Sequence, residues 1–146
     1  MKMKISIASD HAGFKYKTEI KKHLISKGYE VTDCGTHSNE PVDYPDFIKP
    51  AAKLVSLGKT EVGIVLGGSG NGEAMAANKI SGIRCAVCWN NESAKLAKAH
   101  NNANIISIGQ KMVTLEKAIQ IVDTWLNTKF EGGRHIPRID KIEKEY

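Results

Sequence analysis

The fold is decided by the stretch VGIVLGGSGNGEAMAANK, residues 62–79. Its first five residues, 62–66, are apolar or glycine, which is typical of a central parallel strand covered by helices on both faces. Four glycines follow within the next six residues. A helix is expected to begin just after these glycines and to end at about Lys79. The stretch therefore predicts a strand, a glycine loop and a helix in direct succession.

The same alternation of strand and helix runs along the rest of the chain. Short apolar runs predict further strands at 4–9, 29–33, 84–88 and 105–108. Apolar residues at helical spacing predict helices at 14–27, 46–57, 92–100 and 115–127. Alternation of this kind favours a parallel sheet with helices on both faces. We therefore expect one five-stranded α/β domain over residues 1–146.

The C-terminal residues 130–146 depart from this alternation. Gly132 and Gly133 predict a hinge, and Pro137 is suited to the first turn of a short charged helix. Such an arm has little apolar surface of its own. Two arrangements are open: the arm folds back on its own domain, or it reaches across to a second subunit.

Composition and charge narrow the possible function classes. Apolar residues make up 41% of the chain and charged residues 25%, and the net charge is +5, which is ordinary for a globular protein. The lysines are scattered and no aromatic residues interleave them, which argues against nucleic-acid binding and is compatible with attraction of a phosphorylated small molecule. No apolar run approaches the length of a membrane span and no signal peptide is visible. We expect a cytoplasmic protein without a membrane or nucleic-acid partner.

The three cysteines are expected to be free thiols in a reducing compartment. Cys85 and Cys88 form a CxxC pair, but they lie in a predicted strand, where residues three apart point to opposite faces. No second pair of cysteines or histidines completes a zinc site. The pattern predicts buried structural thiols, with no metal and no cofactor.

Two common phosphate-binding loops do not fit the glycine loop. A dinucleotide fingerprint GxGxxG that starts at Gly68 requires glycine at position 73, where this chain has Glu73. A P-loop that starts at Gly67 requires lysine at that same position, so the charge is reversed. Both nucleotide-binding interpretations are therefore weak.

A glycine loop can also stabilise an anion that forms only during a reaction. Successive N–H groups at a helix N-terminus make an oxyanion hole, and a carboxylate in the first helical turn lies beside it. Glu73 would then remove a proton next to a carbonyl group, as an aldose–ketose isomerisation requires. Alternatively, Glu73 only complements the helix dipole. The segment alone leaves both interpretations open.

Other polar residues occur where ligands of α/β proteins bind, or in the arm. Asp10 and His11 follow the first strand, where they either cap the next helix or contact a ligand. His100 opens the segment HNNAN, which is either an Asn-rich turn at a helix C-terminus or the site of a general acid. Arg134 and Arg138 share a face if the arm is helical, and two guanidinium groups suit a phosphate.

Several motifs, taken in order, resemble the type B ribose-5-phosphate isomerase family, which includes galactose- and allose-6-phosphate isomerases. The resemblance covers nearly the whole chain. The matching motifs are ASDHAG at 8–13, DYPD at 43–46, GGSGNGE at 67–73, AANK at 76–79, GIR at 82–84, HNNAN at 100–104 and GGRH at 132–135.

The resemblance implies a three-layer, Rossmann-like αβα sandwich that forms a homodimer or a dimer-based tetramer. It places the active site between subunits, so that His100 and the arm serve a partner's glycine loop. It also implies a small-molecule sugar phosphate as the substrate.

The resemblance further implies roles for individual residues. Asp10 and His11 handle the sugar ring and its hydroxyl groups, and His100 opens the ring with help from Asp10 and with Asn101 nearby. Ser69 and the loop N–H groups hold the enediolate, and three basic residues bind the phosphate. The loop residues are Gly68, Ser69, Gly70, Asn71 and Gly72, and the basic residues are Lys111, Arg134 and Arg138.

The chain departs from part of this family at two positions. Many members have a catalytic cysteine just before the glycine loop, where this chain has Gly67, whereas another branch uses a glutamate at the position of Glu73. We therefore predict Glu73 as the base of a ribose 5-phosphate to ribulose 5-phosphate isomerisation. The second departure is Lys111, at a position where family members often have an arginine. The lysine ammonium is a point charge, whereas an arginine could bind the phosphate with two parallel hydrogen bonds. A hexose 6-phosphate substrate and a non-catalytic nucleotide- or phosphometabolite-binding module are the alternatives.

Overall fold

The computed structural model describes residues 2–145 and contains a five-stranded, all-parallel sheet. The strand order is β2-β1-β3-β5-β4, so the apolar strand of the opening stretch lies in the centre. The strands are β1 (Lys4–Ser9), β2 (Glu30–Asp33), β3 (Val62–Gly67), β4 (Cys85–Val87) and β5 (Ile105–Gly109).

Six α-helices accompany the sheet. They are α1 (Phe14–Ser26), α2 (Pro45–Ser56), α3 (Asn71–Asn78), α4 (Asn91–Ala99), α5 (Leu115–Asn127) and α6 (Ile136–Glu143). Helices α1, α4 and α5 bury apolar side chains against one face of the sheet, whereas α2 and α3 cover the other face. The predicted three-layer αβα sandwich is therefore confirmed.

The predicted element boundaries agree closely with the structure, except at the start of α3. Each strand, and each of the other four predicted helices, begins and ends within one residue of the predicted position. Helix α3 begins at Asn71, inside the glycine run and not after it. The left-handed φ of +85° at Gly70 turns the chain into the helix two residues before the last glycine.

The cysteines lie on both faces of the sheet, as the strand interpretation predicted. Cys85 packs with the α2 and α3 side, Cys88 is buried on the opposite side, and all three cysteines are free. Burial raises the pKa of the Cys85 thiol well above its usual range and that of Cys88 to about 12. These thiols are therefore protonated and serve as core residues. Among residues 2–145, no helix is long and apolar enough to cross a membrane.

Candidate active site

The carboxyl ends of the three central strands bring the glycine loop beside Asp10 and Lys111. Ser9 pairs with Leu66 between β1 and β3, and Gly67 pairs with Gly109 between β3 and β5. The segments that follow these strands therefore meet at one edge of the sheet, which we call the carboxyl edge. Ligands of parallel α/β sheets bind at this edge.

The glycine loop rests on β5 and has no room for side chains at its bend. The Ser107 hydroxyl donates a hydrogen bond to the Gly70 carbonyl at 2.7 Å. A β-carbon at Gly70 would lie 3.1 Å from both the Gly109 nitrogen and the Ser107 oxygen. The backbone of the loop is therefore fixed by the neighbouring strand before any ligand binds.

The remaining predicted loop residues also lie at the carboxyl edge. Ser69 is exposed, and its hydroxyl accepts a hydrogen bond from the Asn71 N–H at 3.2 Å. Gly72 packs against the Tyr44 ring, because a β-carbon there would lie 2.6 Å from Tyr44 Cζ. The Lys111 N–H donates to the Gly68 carbonyl at 3.0 Å, and its aliphatic stem passes over Gly68. The structure thus brings together Gly68, Ser69, Gly70, Asn71, Gly72 and Lys111.

Glu73 is buried in the first turn of α3, with only 3% of its surface exposed. Its carboxyl group occupies the space beside Gly67 into which a β-carbon at position 67 would project. Within residues 2–145 it takes part in no ion pair. Burial is the main cause that raises its pKa, the charge of Asp10 adds to this, and the N–H groups of Glu73 and Gly70 oppose it. A carboxylate in this setting is more basic than one at the surface.

Asp10 and His11 connect β1 to a short 3-10 helix, His11–Gly13, at the same edge. Asp10 is buried, and its Oδ1 accepts a hydrogen bond from the Gly13 N–H at 3.1 Å, so the capping role is present. The Val42 N–H donates to His11 Nδ1 at 3.1 Å. The neutral His11 ring therefore carries its proton on Nε2.

His100 lies at the other edge of the sheet, at the C-terminus of α4. A capping box between Asn90 and Ser93 fixes the start of this helix. The C-terminal end of α4 leads into the predicted Asn-rich turn, in which Asn102 adopts a left-handed φ of 45°. His100 precedes β5 whereas the glycine loop follows β3, so we call this edge the amino edge.

The C-terminal arm folds back on its own domain at the amino edge. The Glu131 N–H donates to the Ala99 carbonyl at 3.0 Å, and the Arg84 guanidinium pairs with Glu143 of α6. Arg134 and Arg138 are exposed, and neither forms an ion pair within the described part of the chain. Both guanidinium groups are therefore available to an anionic ligand.

The predicted site residues form two separate groups in one chain. Asp10, the loop, Glu73 and Lys111 lie at the carboxyl edge, whereas His100, Asn101, Arg134 and Arg138 lie at the amino edge. Five-residue β5 lies between the edges and spans about 15 Å. A side chain of His100 cannot bridge that distance to Glu73 of the same chain.

A family model described as "Ribose/Galactose Isomerase" matches residues 5–142. The chain belongs to the ribose/galactose isomerase family. It is 45% identical to ribose-5-phosphate isomerase B of Escherichia coli, over 95% of this chain and 93% of that protein.

Solved structures of this family have the same fold. Ribose-5-phosphate isomerase B of Clostridium thermocellum is 51% identical, with a TM-score of 0.96 over 97% of this chain and 95% of the other. The Mycoplasma genitalium enzyme, solved with ribulose-5-phosphate bound, is 41% identical, with a TM-score of 0.93 over 98% of this chain and 95% of the other. The family resemblance and the expected fold are confirmed.

Two motifs of this ribose/galactose isomerase chain hold site residues in place, which the sequence alone does not reveal. Tyr44 of DYPD packs against the glycine loop. Arg84 of GIR donates to the carbonyls of Asn101 and Asn102, at 3.1 and 2.9 Å. Their presence among the family motifs was the only signal, because each contact joins segments distant in sequence.

Proposed function

We propose that this chain interconverts ribose 5-phosphate and ribulose 5-phosphate. The observation that carries the proposal is the buried Glu73 carboxylate at the start of α3, beside a glycine loop that the neighbouring strand β5 holds in place. Relatives named ribose-5-phosphate isomerase B, and one of their structures with bound ribulose-5-phosphate, support the choice of substrate.

Glu73 acts as the proton-transferring base in this proposal. It removes the proton from C2 of the open-chain aldose, and the same carboxylate returns it to C1, while the hydroxyl proton of O2 passes to O1 within the enediolate. Burial raises the pKa of Glu73, which makes its ionised carboxylate a stronger base. This explains better than dipole complementation why Glu73 is buried, because complementation only requires a carboxylate near the helix N-terminus.

The glycine loop stabilises the cis-enediolate that lies between the two proton transfers. In this proposal the backbone N–H groups of residues 68–72 and the exposed Ser69 hydroxyl, which lie at the carboxyl edge, donate to the substrate oxygens beside Glu73. Each well-placed donor contributes about 3–4 kcal/mol to such an intermediate. Since the loop rests on β5 through Ser107, little reorganisation is needed when the negative charge forms.

The ring-opening acid and most of the phosphate site come from a second subunit. His100, Asn101, Arg134 and Arg138 are at the amino edge, too far from Glu73 of their own chain. A homodimer, alone or within a tetramer, lets the amino edge of one subunit face the carboxyl edge of the other. Asp10 and His11 then bind the sugar hydroxyl groups, and Lys111, on the same chain as Glu73, adds charge near the phosphate.

A coupled assay with ribose 5-phosphate, together with Glu73→Gln, tests this function. Loss of the base should lower kcat by about 100-fold to 10,000-fold, while substrate binding persists. Glu92→Gln is a matched control, because Glu92 is an exposed carboxylate in the first turn of α4. It should leave turnover unchanged. Activity of Glu73→Gln similar to that of the wild type would contradict the assignment.

The same assay distinguishes the alternative substrates. One further carbon in a hexose 6-phosphate changes the distance from the phosphate to C2, so kcat/KM should be highest for ribose 5-phosphate. A higher kcat/KM for allose or galactose 6-phosphate would move the proposal to a hexose phosphate. Tight nucleotide binding without any isomerase activity would favour a binding module.

A further inference from the structure

Three titratable side chains meet at the amino edge, of which the proposed mechanism uses only His100. The His100 and His135 rings stack with their centroids 4.4 Å apart and their planes 19° from parallel. The two carboxylate oxygens of Glu131 lie 3.7 Å from His100 Nε2 and 3.5 Å from His135 Nε2. We call His100, Glu131 and His135 the arm cluster.

The two histidines of the arm cluster are in different environments. His135 is 6% exposed, and its Nε2 is buried without a hydrogen-bond partner. About a third of the His100 side chain is exposed. One ring is therefore a fixed platform, whereas the other is accessible to a ligand.

The composition of the arm cluster would suit a metal ion, but its geometry does not. Two histidines and a carboxylate are a known zinc ligand set. In nearly parallel stacked rings, however, the nitrogen lone pairs run side by side and do not converge on one point. The arrangement is better suited to holding a ring in place and to supporting its charge.

We propose that Glu131 and His135 are positioning residues for His100: His135 fixes the plane of the ring, and Glu131 supports its protonated form. This inference rests on the proposed function, in which His100 gives its proton to the ring oxygen as the bond from that oxygen to C1 breaks. The anomeric hydroxyl loses its proton to the Asp10 carboxylate, at the carboxyl edge of the facing subunit, in the same step, and C1 becomes the aldehyde carbon.

Electrostatics and backbone contacts support this division of roles. Burial is the main cause that lowers the pKa of His135; Arg134 and His100 add to this and Glu131 opposes it, so the neutral form of the platform ring is favoured. A neutral ring avoids charge repulsion with a protonated His100 stacked on it. The Glu131 carboxylate is half exposed and within one small side-chain movement of a hydrogen bond to His100. The Glu131 N–H bond to Ala99 holds the residue beside the end of α4.

The test separates ring opening from proton transfer at carbon. Ribulose 5-phosphate has no furanose form because its C5 oxygen is esterified, so exchange of its C1 proton with D2O requires Glu73 but no ring opening. Glu131→Gln and His135→Ala should lower kcat/KM for ribose 5-phosphate about tenfold or more. Both should retain C1 exchange from ribulose 5-phosphate within about twofold of the wild type.

Two further variants complete the experiment. His135→Phe keeps an aromatic platform and should recover most of the activity that His135→Ala loses. Asp140→Asn is the control, because Asp140 is an exposed carboxylate of α6 that forms no ion pair within residues 2–145. It should change neither rate. If His135→Ala fails to fold, the test rests on Glu131→Gln. Glu131 is half exposed, so its substitution should not prevent folding.

The possible outcomes separate failure of the inference from failure of the proposed function. If the two rates fall together in Glu131→Gln, the role is structural and the inference is wrong. If neither rate changes, the inference is also wrong. If the wild type shows neither turnover of ribose 5-phosphate nor C1 exchange, the proposed function itself fails.

Discussion

The two edges of the sheet are built in opposite ways. At the carboxyl edge, short connections and glycines bury two carboxylates, Asp10 and Glu73, and the neighbouring strand fixes the loop. At the amino edge, polar residues and a charged arm are exposed, and Arg84 is the main link between the turn and α6. A basic carboxylate needs a dry, fixed pocket, whereas phosphate recognition only needs accessible positive charge.

The largest expected effect comes from filling the space that Glu73 uses. Gly67→Ala places a β-carbon where the Glu73 carboxyl group lies, and the flexible end of that side chain must move. The protein should fold, but kcat should fall by about 100-fold or more, as in removal of the base. Steady-state kinetics and a thermal melt measure both properties.

Gly63→Ala is the control for that substitution. Gly63 is on the same strand and face as Gly67, and its β-carbon would lie 3.0–3.2 Å from side chains of the core. This variant should lose stability without a comparable loss of kcat. Normal turnover in Gly67→Ala would show that the carboxyl edge does not depend on the position of Glu73.

A second experiment joins the two edges across subunits. Glu73→Gln and His100→Asn each inactivate one edge, so each pure variant should be nearly inactive. Random dimers formed by co-expression of the two variants should recover about a quarter of wild-type activity, because half of the dimers contain one intact site. If mixed dimers stay inactive, the two edges do not share a site.

The smallest expected effect concerns stability. The pKa of Glu73 is raised in the folded state, so the folded protein holds this proton more tightly than the unfolded chain. That stabilisation is present at acidic pH and is lost as pH rises through the folded-state pKa. Glu73→Gln should therefore match the wild-type Tm at acidic pH and exceed it at neutral pH, by about 2–4 °C for each kcal/mol relieved.

Thermal melts over a pH series check this prediction, with Glu92→Gln as the control. Glu92 is exposed in its helix, so there is no burial cost to relieve and its substitution should not raise the Tm at neutral pH. A Tm for Glu73→Gln below that of the wild type at neutral pH would mean that the ionised carboxylate stabilises the fold.

The fold could be predicted from the sequence almost to the residue, because its signals are local. Apolar runs predict the strands, and apolar residues at helical spacing, followed by glycines, predict the helices. Helix α5, for example, has the predicted bounds 115–127. The start of α3 was missed because it depends on the left-handed turn at Gly70, which contacts with β5 stabilise. The order of the strands in the sheet is likewise set by long-range packing.

The site was predictable only in part, for the same reason. The types and order of its residues pointed to the chemistry, but the separation of Glu73 from His100 follows from which strand end each occupies. The arm cluster was missed because His135 and Glu131 meet His100 only after the arm folds back. No spacing rule connects residues 35 positions apart across such a turn.

The contact between Gly67 and Glu73 also restricts how this site can evolve. A cysteine at position 67 cannot coexist with the carboxylate in its present place, because its β-carbon would overlap the Glu73 carboxyl group. Any side chain gained at position 67 displaces the base that we propose. Glycine at 67 and glutamate at 73 are therefore expected to change together.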